Sequence, residues 1–148
     1  DLTQEAIPLI KSYSPNYNKA DRSSVDLVVL HTTEGTGTSA LNTFQNPNNK
    51  VSSHYLIMEN GLVYSLVNEK DVAWHCRNHN RDSIGIELAG YHNKTLNPEQ
   101  IKSAQLLIKT ILSKYNLERD HIKAHSELDP SRRKDPGKAN LERILQGI

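Results

Sequence analysis

The sequence predicts a three-layer α/β domain, in which a central mixed β-sheet carries helices on both faces. Two observations support this fold class. Short apolar segments of strand length alternate along the chain with a strongly amphipathic segment of helical period. The 148 residues, of which 36% are hydrophobic, suit one ordinary domain with a buried core. Because amphipathic helices must bury their apolar faces, a sheet covered by helices is the natural packing of such elements.

Five short segments have the length and composition of strands: residues 25–31, 54–59, 62–67, 83–90 and 121–125. The second and third flank Asn60-Gly61, a pair that favours a tight turn, and therefore predict a β-hairpin. The first segment ends at His31 and is followed by a polar, glycine-containing loop. The last ends at His125. The predicted sheet therefore places two histidines at strand ends, where side chains can leave the core.

Two helices are predicted in the second half of the chain. In the longer one, Asn97 is the N-cap, Pro98 takes the first helical position and the helix ends near Asn116. Its apolar face repeats with helical period and consists of Ile101, Ala104, Ile108, Ile111, Leu112 and Tyr115. Residues 139–146 predict a closing helix. Both helices are expected to cover the sheet.

Composition and charge exclude several classes of function. The formal net charge is +1, and the basic residues are scattered, so we expect no nucleic-acid partner. The apolar runs are too short to cross a bilayer, and no transmembrane segment is expected. Cys76 is the single cysteine, which excludes an internal disulfide and a multi-cysteine zinc site. We expect one monomeric domain over residues 1–148, with residues 1–24 as an N-terminal extension packed on it.

His31, His125 and Asp135 form a candidate metal site. Two neutral imidazoles and one carboxylate can hold a tetrahedral Zn2+ and leave a fourth position for water, as catalytic zinc sites do. Pro130 lies in the loop between His125 and Asp135 and helps the chain to turn back. Because the seven histidines of the chain offer many accidental triplets, spacing alone leaves a purely structural role open.

Five segments, taken in order, are specific as a set: VVLHTT, SSHYLIMENG, VAWHC, SIGIEL and AHSELDPSRRKDPG. Together they resemble the zinc-dependent N-acetylmuramoyl-L-alanine amidases, a superfamily that includes the peptidoglycan recognition proteins. The likeness runs roughly from residue 25 to the C-terminus. It implies Zn2+ as cofactor and hydrolysis of the amide between N-acetylmuramic acid and L-alanine, in peptidoglycan or a muropeptide. It also implies a secreted or cell-envelope location, with the cytoplasm as the alternative.

The resemblance assigns a role to Glu87 as well as to the metal ligands. His31, His125 and Asp135 match the three zinc ligands of the family, and Glu87 matches the acidic residue that serves as general base. Some relatives carry a catalytic tyrosine where this chain has Ser53, so that role passes to Glu87. In its strand Glu87 alternates with isoleucines, which places it on the face opposite to them. A partly desolvated carboxylate beside a metal is suited to proton transfer.

Two cations stand next to the third predicted ligand. Family members usually carry lysine two positions before the ligand aspartate, whereas this chain has Arg133 there, followed by Lys134. A cation held near the metal can share the charge of the oxyanion that forms when an amide is attacked. Since guanidinium and ammonium differ in geometry and hydration, the exchange matters. We assign this role to Arg133, with Lys134 as the alternative.

Four further residues match the surroundings of the family's metal site. His75 matches a histidine that lines the substrate groove, and Trp74 beside it is either an apolar wall of the groove or a packing residue. His54 is expected beside the metal, behind its ligands. Thr32, which follows the first ligand, is expected to form hydrogen bonds within the site. We assign all four to substrate binding.

Two other functions compete with the amidase interpretation. A peptidoglycan-binding module without catalysis would resemble the same family, but the intact ligand set together with Glu87 argues against it. A zinc peptidase that cuts stem-peptide cross-links would use a similar site. The products released from purified sacculi distinguish an amidase from a peptidase.

Overall fold

A mixed β-sheet of six strands organises the structure, a computed structural model that describes residues 7–148. The strands are β1 (Leu9–Lys11), β2 (Tyr17–Asn18), β3 (Leu27–Thr32), β4 (Tyr55–Ile57), β5 (Val63–Ser65), β6 (Val72–Ala73), β7 (Ser83–Leu88) and β8 (Ile122–Ala124). The large sheet has the order β1-β5-β4-β7-β3-β8, and β2 pairs separately with β6. Only β4 and β5 pair antiparallel within the large sheet, so the predicted mixed sheet is confirmed.

The described residues also form four α-helices: α1 (Gly37–Gln45), α2 (Pro98–Tyr115), α3 (His125–Leu128) and α4 (Lys138–Leu145). Helix α2 begins and ends where the sequence predicts. The backbone N–H of Asn97 donates to Gln100 Oε1 at 3.0 Å, and Asn116 ends the helix in the left-handed conformation. Helix α1 has no counterpart among the predicted elements. It is short, and Thr36 caps it by accepting a hydrogen bond from the N–H of Ser39.

Two apolar clusters show that helices cover both faces of the sheet. One cluster joins α2 and α4 to the side chains of Val28, Leu30, Ile84 and Ile86 on β3 and β7. The other lies around α1 and includes Ala40, Phe44, Leu56, Leu66 and Val67. Side chains alternate along a strand, so the residues next to these four point to the α1 side. His31, which follows Leu30, and Glu87, which follows Ile86, are two of them. The fold thus gives one face to the core under α2, and the other face carries both the smaller apolar cluster and the polar residues His31 and Glu87.

The predicted strands and the closing helix differ from the structure by one or two residues at their ends. Strand β8 stops at Ala124, because the N–H of Ala124 donates to Glu127 Oε1 at 2.9 Å and the chain turns into α3. His125 is therefore the first residue of a helix and not the last of a strand. The predicted hairpin is present, but its strands are shorter than expected, and the turn is closed by the N–H of Gly61 donating to Met58 O at 2.8 Å.

The N-terminal segment, as far as it is described, adds strands to the domain. Strand β1 pairs in parallel with β5 at the edge of the large sheet, and β2 pairs with β6. Arg22 donates to the carbonyl oxygens of Glu69 and Ser83, at 2.9 and 2.6 Å. Residues 1–6 of the predicted extension lie outside the described part. Within residues 7–148, no helix has the length and apolarity that spanning a bilayer requires.

Candidate metal centre

The side chains of His31, His125 and Asp135 converge in a cleft on the α1 side of the sheet. Nδ1 of His31 lies 3.0 Å from Nδ1 of His125, and both nitrogens lie 3.2 Å from the same oxygen, Oδ2 of Asp135. All three residues are buried. Among the described residues, these three form a group whose ligand atoms all lie within 4.8 Å of one another, close enough to hold one metal ion. The structure therefore brings together the three ligands that the sequence predicts.

Strand pairing and one loop contact position these ligands. His31 lies near the end of β3, and its neighbour β8 leads directly into His125. The N–H of Ser126 donates to the carbonyl oxygen of Asp135 at 3.0 Å, which holds the returning loop against α3. Gly137 then turns the chain away with a φ of 88°, and a Cβ at this position would lie 2.0 Å from the carbonyl oxygen of His92. A glycine is therefore required where the loop leaves the site.

The geometry of the three ligand atoms fits Zn2+. Ligands at normal zinc distances in a tetrahedron lie roughly 3.3 Å from one another. The three separations in this site, 3.0, 3.2 and 3.2 Å, are close to that value. Burial alone would raise the pKa of Asp135, but the two imidazoles of His125 and His31, each 3.2 Å from its Oδ2, hold this pKa well below its usual range. Burial lowers the pKa of His31, so a neutral imidazole and an ionised carboxylate face each other.

Glu87 stands beside the triad because strand register places it there. It is the partner of His31 in the parallel pairing of β3 with β7, and its Oε2 lies 3.7 Å from His31 Nδ1. Burial, with the negative charges of Asp135 and Glu34, raises the pKa of Glu87 well above its usual range, whereas Arg133 opposes this shift. A divalent cation at the triad would favour the ionised carboxylate. The position of Glu87 on the face of β7 opposite the isoleucines agrees with the sequence prediction.

A cavity of about 360 Å³ opens over the triad. Seven of the predicted site residues line it: His31, Thr32, His75, Glu87, His125, Arg133 and Asp135. Thr32 donates a short hydrogen bond to Glu34 within the cavity wall, as expected for a residue that organises the site. Lys134 is exposed and lies outside this lining. Of the two cations, Arg133 is therefore the one that lines the cavity over the triad.

His54 and Trp74 do not line this cavity. His54 is fully buried: its Nδ1 accepts from the N–H of Gly85 at 3.0 Å, and its Nε2 lies 2.8 Å from the carbonyl oxygen of Asp71. Burial lowers the pKa of His54 to about 4. The substrate-binding role predicted for His54 is therefore wrong, because no part of the ring is accessible. Trp74 lines an adjoining groove, where its Nε1 donates to Asn18 Oδ1 at 2.8 Å.

His75 lies in the cavity wall, but both of its nitrogens are engaged by protein. Nδ1 is 2.9 Å from His31 Nε2, and Nε2 is 3.0 Å from Ser83 Oγ. Burial lowers the pKa of His75 well below its usual range, so the ring is neutral. Only its ring edge can face a substrate. His75 thus lines the cavity while its two nitrogens contact His31 and Ser83, and its role in substrate binding stays a prediction.

Glu34 and Ser83 are polar residues at the site that the sequence did not predict. Glu34 lines the cavity with a left-handed φ of 57°, and its carboxylate accepts from the ring Nδ1 of His92 at 2.6 Å. Nothing in the TTEG segment indicates this contact, because His92 is distant in sequence. Ser83 has a signal in retrospect, since it alternates with Gly85 and Glu87 on one face of β7.

Two buried histidines and an aspartate can hold a metal ion, and a glutamate beside them can transfer protons, which is the combination that metal-dependent hydrolases use. The chain belongs to the N-acetylmuramoyl-L-alanine amidase family, whose model matches residues 21–138. It is 34% identical over 109 residues to the 1,6-anhydro-N-acetylmuramyl-L-alanine amidase AmpD of Haemophilus influenzae, covering 67% of this chain and 59% of that protein. It is 31% identical over 137 residues to the N-acetylmuramoyl-L-alanine amidase AmiD of Escherichia coli, covering 76% and 49%.

The chain spans about half the length of the relatives it matches, including 44% of N-acetylmuramoyl-L-alanine amidase A of Achromobacter lyticus. Solved structures share its fold. A crystal structure of a Se-Met AmpD derivative superposes with a TM-score of 0.85 at 22% identity, covering 98% of this chain and 97% of that one. E. coli AmiD in complex with anhydro-N-acetylmuramic acid-L-Ala-D-gamma-Glu-L-Lys superposes with a TM-score of 0.72 at 27% identity, covering 80% and 57%.

Proposed function

We propose that this chain hydrolyses the amide bond between N-acetylmuramic acid and L-alanine in peptidoglycan or muropeptides. The observation that carries the proposal is the convergence of His31, His125 and Asp135 beside Glu87 in an open cleft. Family membership supports the choice of amide. The bound muropeptide in the AmiD structure supports the same substrate class. We propose residues 1–148 as one catalytic domain.

The proposed cofactor is Zn2+, held by Nδ1 of His31, Nδ1 of His125 and Oδ2 of Asp135. When bound, zinc supplies a Lewis acid that polarises the amide carbonyl and makes water a stronger acid. The burial of all three ligands favours a cation there, because an ionised carboxylate out of water needs a positive partner.

Glu87 is proposed to move the protons of the reaction. Its carboxylate takes a proton from the water whose oxygen attacks the amide carbon, and then delivers that proton to the nitrogen of L-alanine as the C–N bond breaks. The products are the carboxylate of the lactyl group and the free amine of the peptide. The position of Glu87 opposite His31 in the sheet puts its carboxylate at the edge of the ligand set.

Arg133 is proposed to stabilise the oxyanion that develops on the carbonyl. Its side chain lines the cavity, whereas that of Lys134 does not. Arg133→Ala is expected to lower turnover by roughly 10–10³-fold, since one oxyanion contact is lost, while zinc content stays at the wild-type level. Lys134→Ala is the matched control and is expected to leave turnover close to wild type. The opposite ranking of the two variants would assign the role to Lys134.

Digestion of purified sacculi, followed by mass spectrometry of the released fragments, tests the proposed reaction. An amidase releases stem peptides that begin with L-alanine, and we expect these products. A chelator is expected to abolish their release, and added zinc to restore it. Cleavage within the stem peptide would show a peptidase instead, and binding without cleavage would show a peptidoglycan-binding module. Hydrolysis that persists undiminished after metal stripping would refute the zinc assignment.

The location follows from the substrate. We propose a secreted or cell-envelope protein that acts on polymeric wall, with a cytoplasmic enzyme acting on released anhydro-muropeptides as the alternative. The rates on intact sacculi and on a purified anhydro-muropeptide distinguish these two substrates. We propose that the domain acts as a monomer.

A further inference from the structure

Ser83 is the last side chain of a hydrogen-bonded series that starts at the candidate metal site. His31 Nε2 lies 2.9 Å from His75 Nδ1, His75 Nε2 lies 3.0 Å from Ser83 Oγ, and Ser83 Oγ lies 2.6 Å from the carbonyl oxygen of His79. Ser83 is fully buried, and His75 and His31 are nearly so. The series therefore runs through protein, away from the cavity, and ends on the backbone.

The carbonyl at the end fixes the direction of every hydrogen bond in the series. A carbonyl oxygen only accepts, so the single proton of the Ser83 hydroxyl is donated to His79 O. Ser83 Oγ must then accept from His75, which places the His75 proton on Nε2. Because the buried ring of His75 contacts His31 and Ser83 and, among the described residues, no carboxylate, it carries a single proton, so its Nδ1 has a lone pair and accepts from His31 Nε2. His31 is left with its lone pair on Nδ1.

Nδ1 is the nitrogen that His31 directs at His125 and Asp135. A metal-bound imidazole needs a lone pair on the atom that binds, and the hydrogen bond made by its other nitrogen decides which tautomer is present. We propose that Ser83 and His75 form a positioning relay that holds His31 in its metal-binding tautomer and orientation. This inference rests on the zinc site of the proposed function, and neither residue of the relay contacts substrate through a polar atom.

Strand β7 is built to carry this relay. Ser83, Gly85 and Glu87 alternate along β7 and share one face. A Cβ at position 85 would lie 2.5 Å from Cγ of His75, so a glycine is required for the ring to lie against the strand. One strand therefore supplies the anchor of the relay, the surface on which its ring rests and the proposed general base.

The test uses two measurements that need no peptidoglycan. Long-range ¹H–¹⁵N spectra of the metal-free protein report the imidazole tautomers, and competition with a chelator at fixed pH reports zinc affinity. In the wild type, His75 is expected to carry its proton on Nε2. In Ser83→Ala, His75 is expected to lose this single tautomer and zinc affinity to fall roughly 10–100-fold. Ser53→Ala is the matched control, because Ser53 is equally buried and donates to Tyr55 O at 2.9 Å.

Several results would overturn the relay. A wild-type His75 protonated on Nδ1 would do so without any variant. A Ser83→Ala protein in which His75 changes tautomer but zinc affinity equals that of Ser53→Ala would also overturn it. A Ser83→Ala protein that loses zinc affinity while the His75 tautomer is unchanged would do the same, since the loss would then come from packing. A wild type with the expected tautomers and zinc affinity but no amidase products would contradict the proposed function and leave the relay standing.

Discussion

Glu87→Gln is expected to lower hydrolysis by roughly 10²–10⁴-fold while the protein still folds, retains zinc and binds muropeptide. The exchange keeps the size of the side chain and removes its ability to accept a proton. Glu87 is 8% exposed and lies next to His31 in the sheet, so an amide of the same shape fits the same space. Single-turnover rates on a purified muropeptide, with metal analysis and thermal unfolding of the same samples, separate chemistry from folding and binding.

Glu142→Gln provides the matched control for this exchange. Glu142 is exposed on α4, and its replacement is expected to leave all three measurements at the wild-type level. A Glu87→Gln protein with turnover within about threefold of wild type would refute the base assignment, because loss of a general base costs far more. His75 would not be the next candidate, since both of its nitrogens are engaged.

His125→Ala is expected to remove bound zinc and to lower hydrolysis by roughly 10³-fold or more, since a catalytic metal contributes several kcal/mol to the transition state. Two ligands are too few to hold the ion in a defined geometry. The variant is also expected to lose the stabilisation that zinc gives the wild type, because an ion that binds only the folded protein favours folding. Metal analysis after dialysis, and melting temperatures with and without added zinc, provide the two measurements.

His121→Ala is the control for His125→Ala. His121 lies four residues earlier on the same segment, but its side chain is 38% exposed and pairs with Asp120. Its replacement is expected to change neither zinc content nor turnover. If His125→Ala kept stoichiometric zinc and its zinc-dependent stability, the three-residue site would be wrong.

Local sequence patterns were sufficient for most of the fold. Helix α2 is bounded by Asn97 and Asn116 because capping and left-handed preference are properties of single residues. The side of β7 that carries Glu87 followed from simple alternation. Helix α1 was not predicted, because its segment is mostly polar and has few apolar residues, Ala40 and Phe44 among them, to show a helical period. The end of β8 was misplaced because Glu127 caps the turn from outside the strand.

The sequence by itself determined the ligand set and the general base as candidates, because residue type, strand ends and the order of the motifs are properties of the chain. Only the tertiary structure decided which cation lines the cavity and that His54 is enclosed in protein. It also decided that His75 is held between His31 and Ser83. These facts depend on distances between segments that are far apart in the sequence, such as His31 and Ser83, which are separated by 52 residues. Hydrogen bonding requires approach within about 3 Å, and strand pairing, not sequence spacing, sets which atoms come that close.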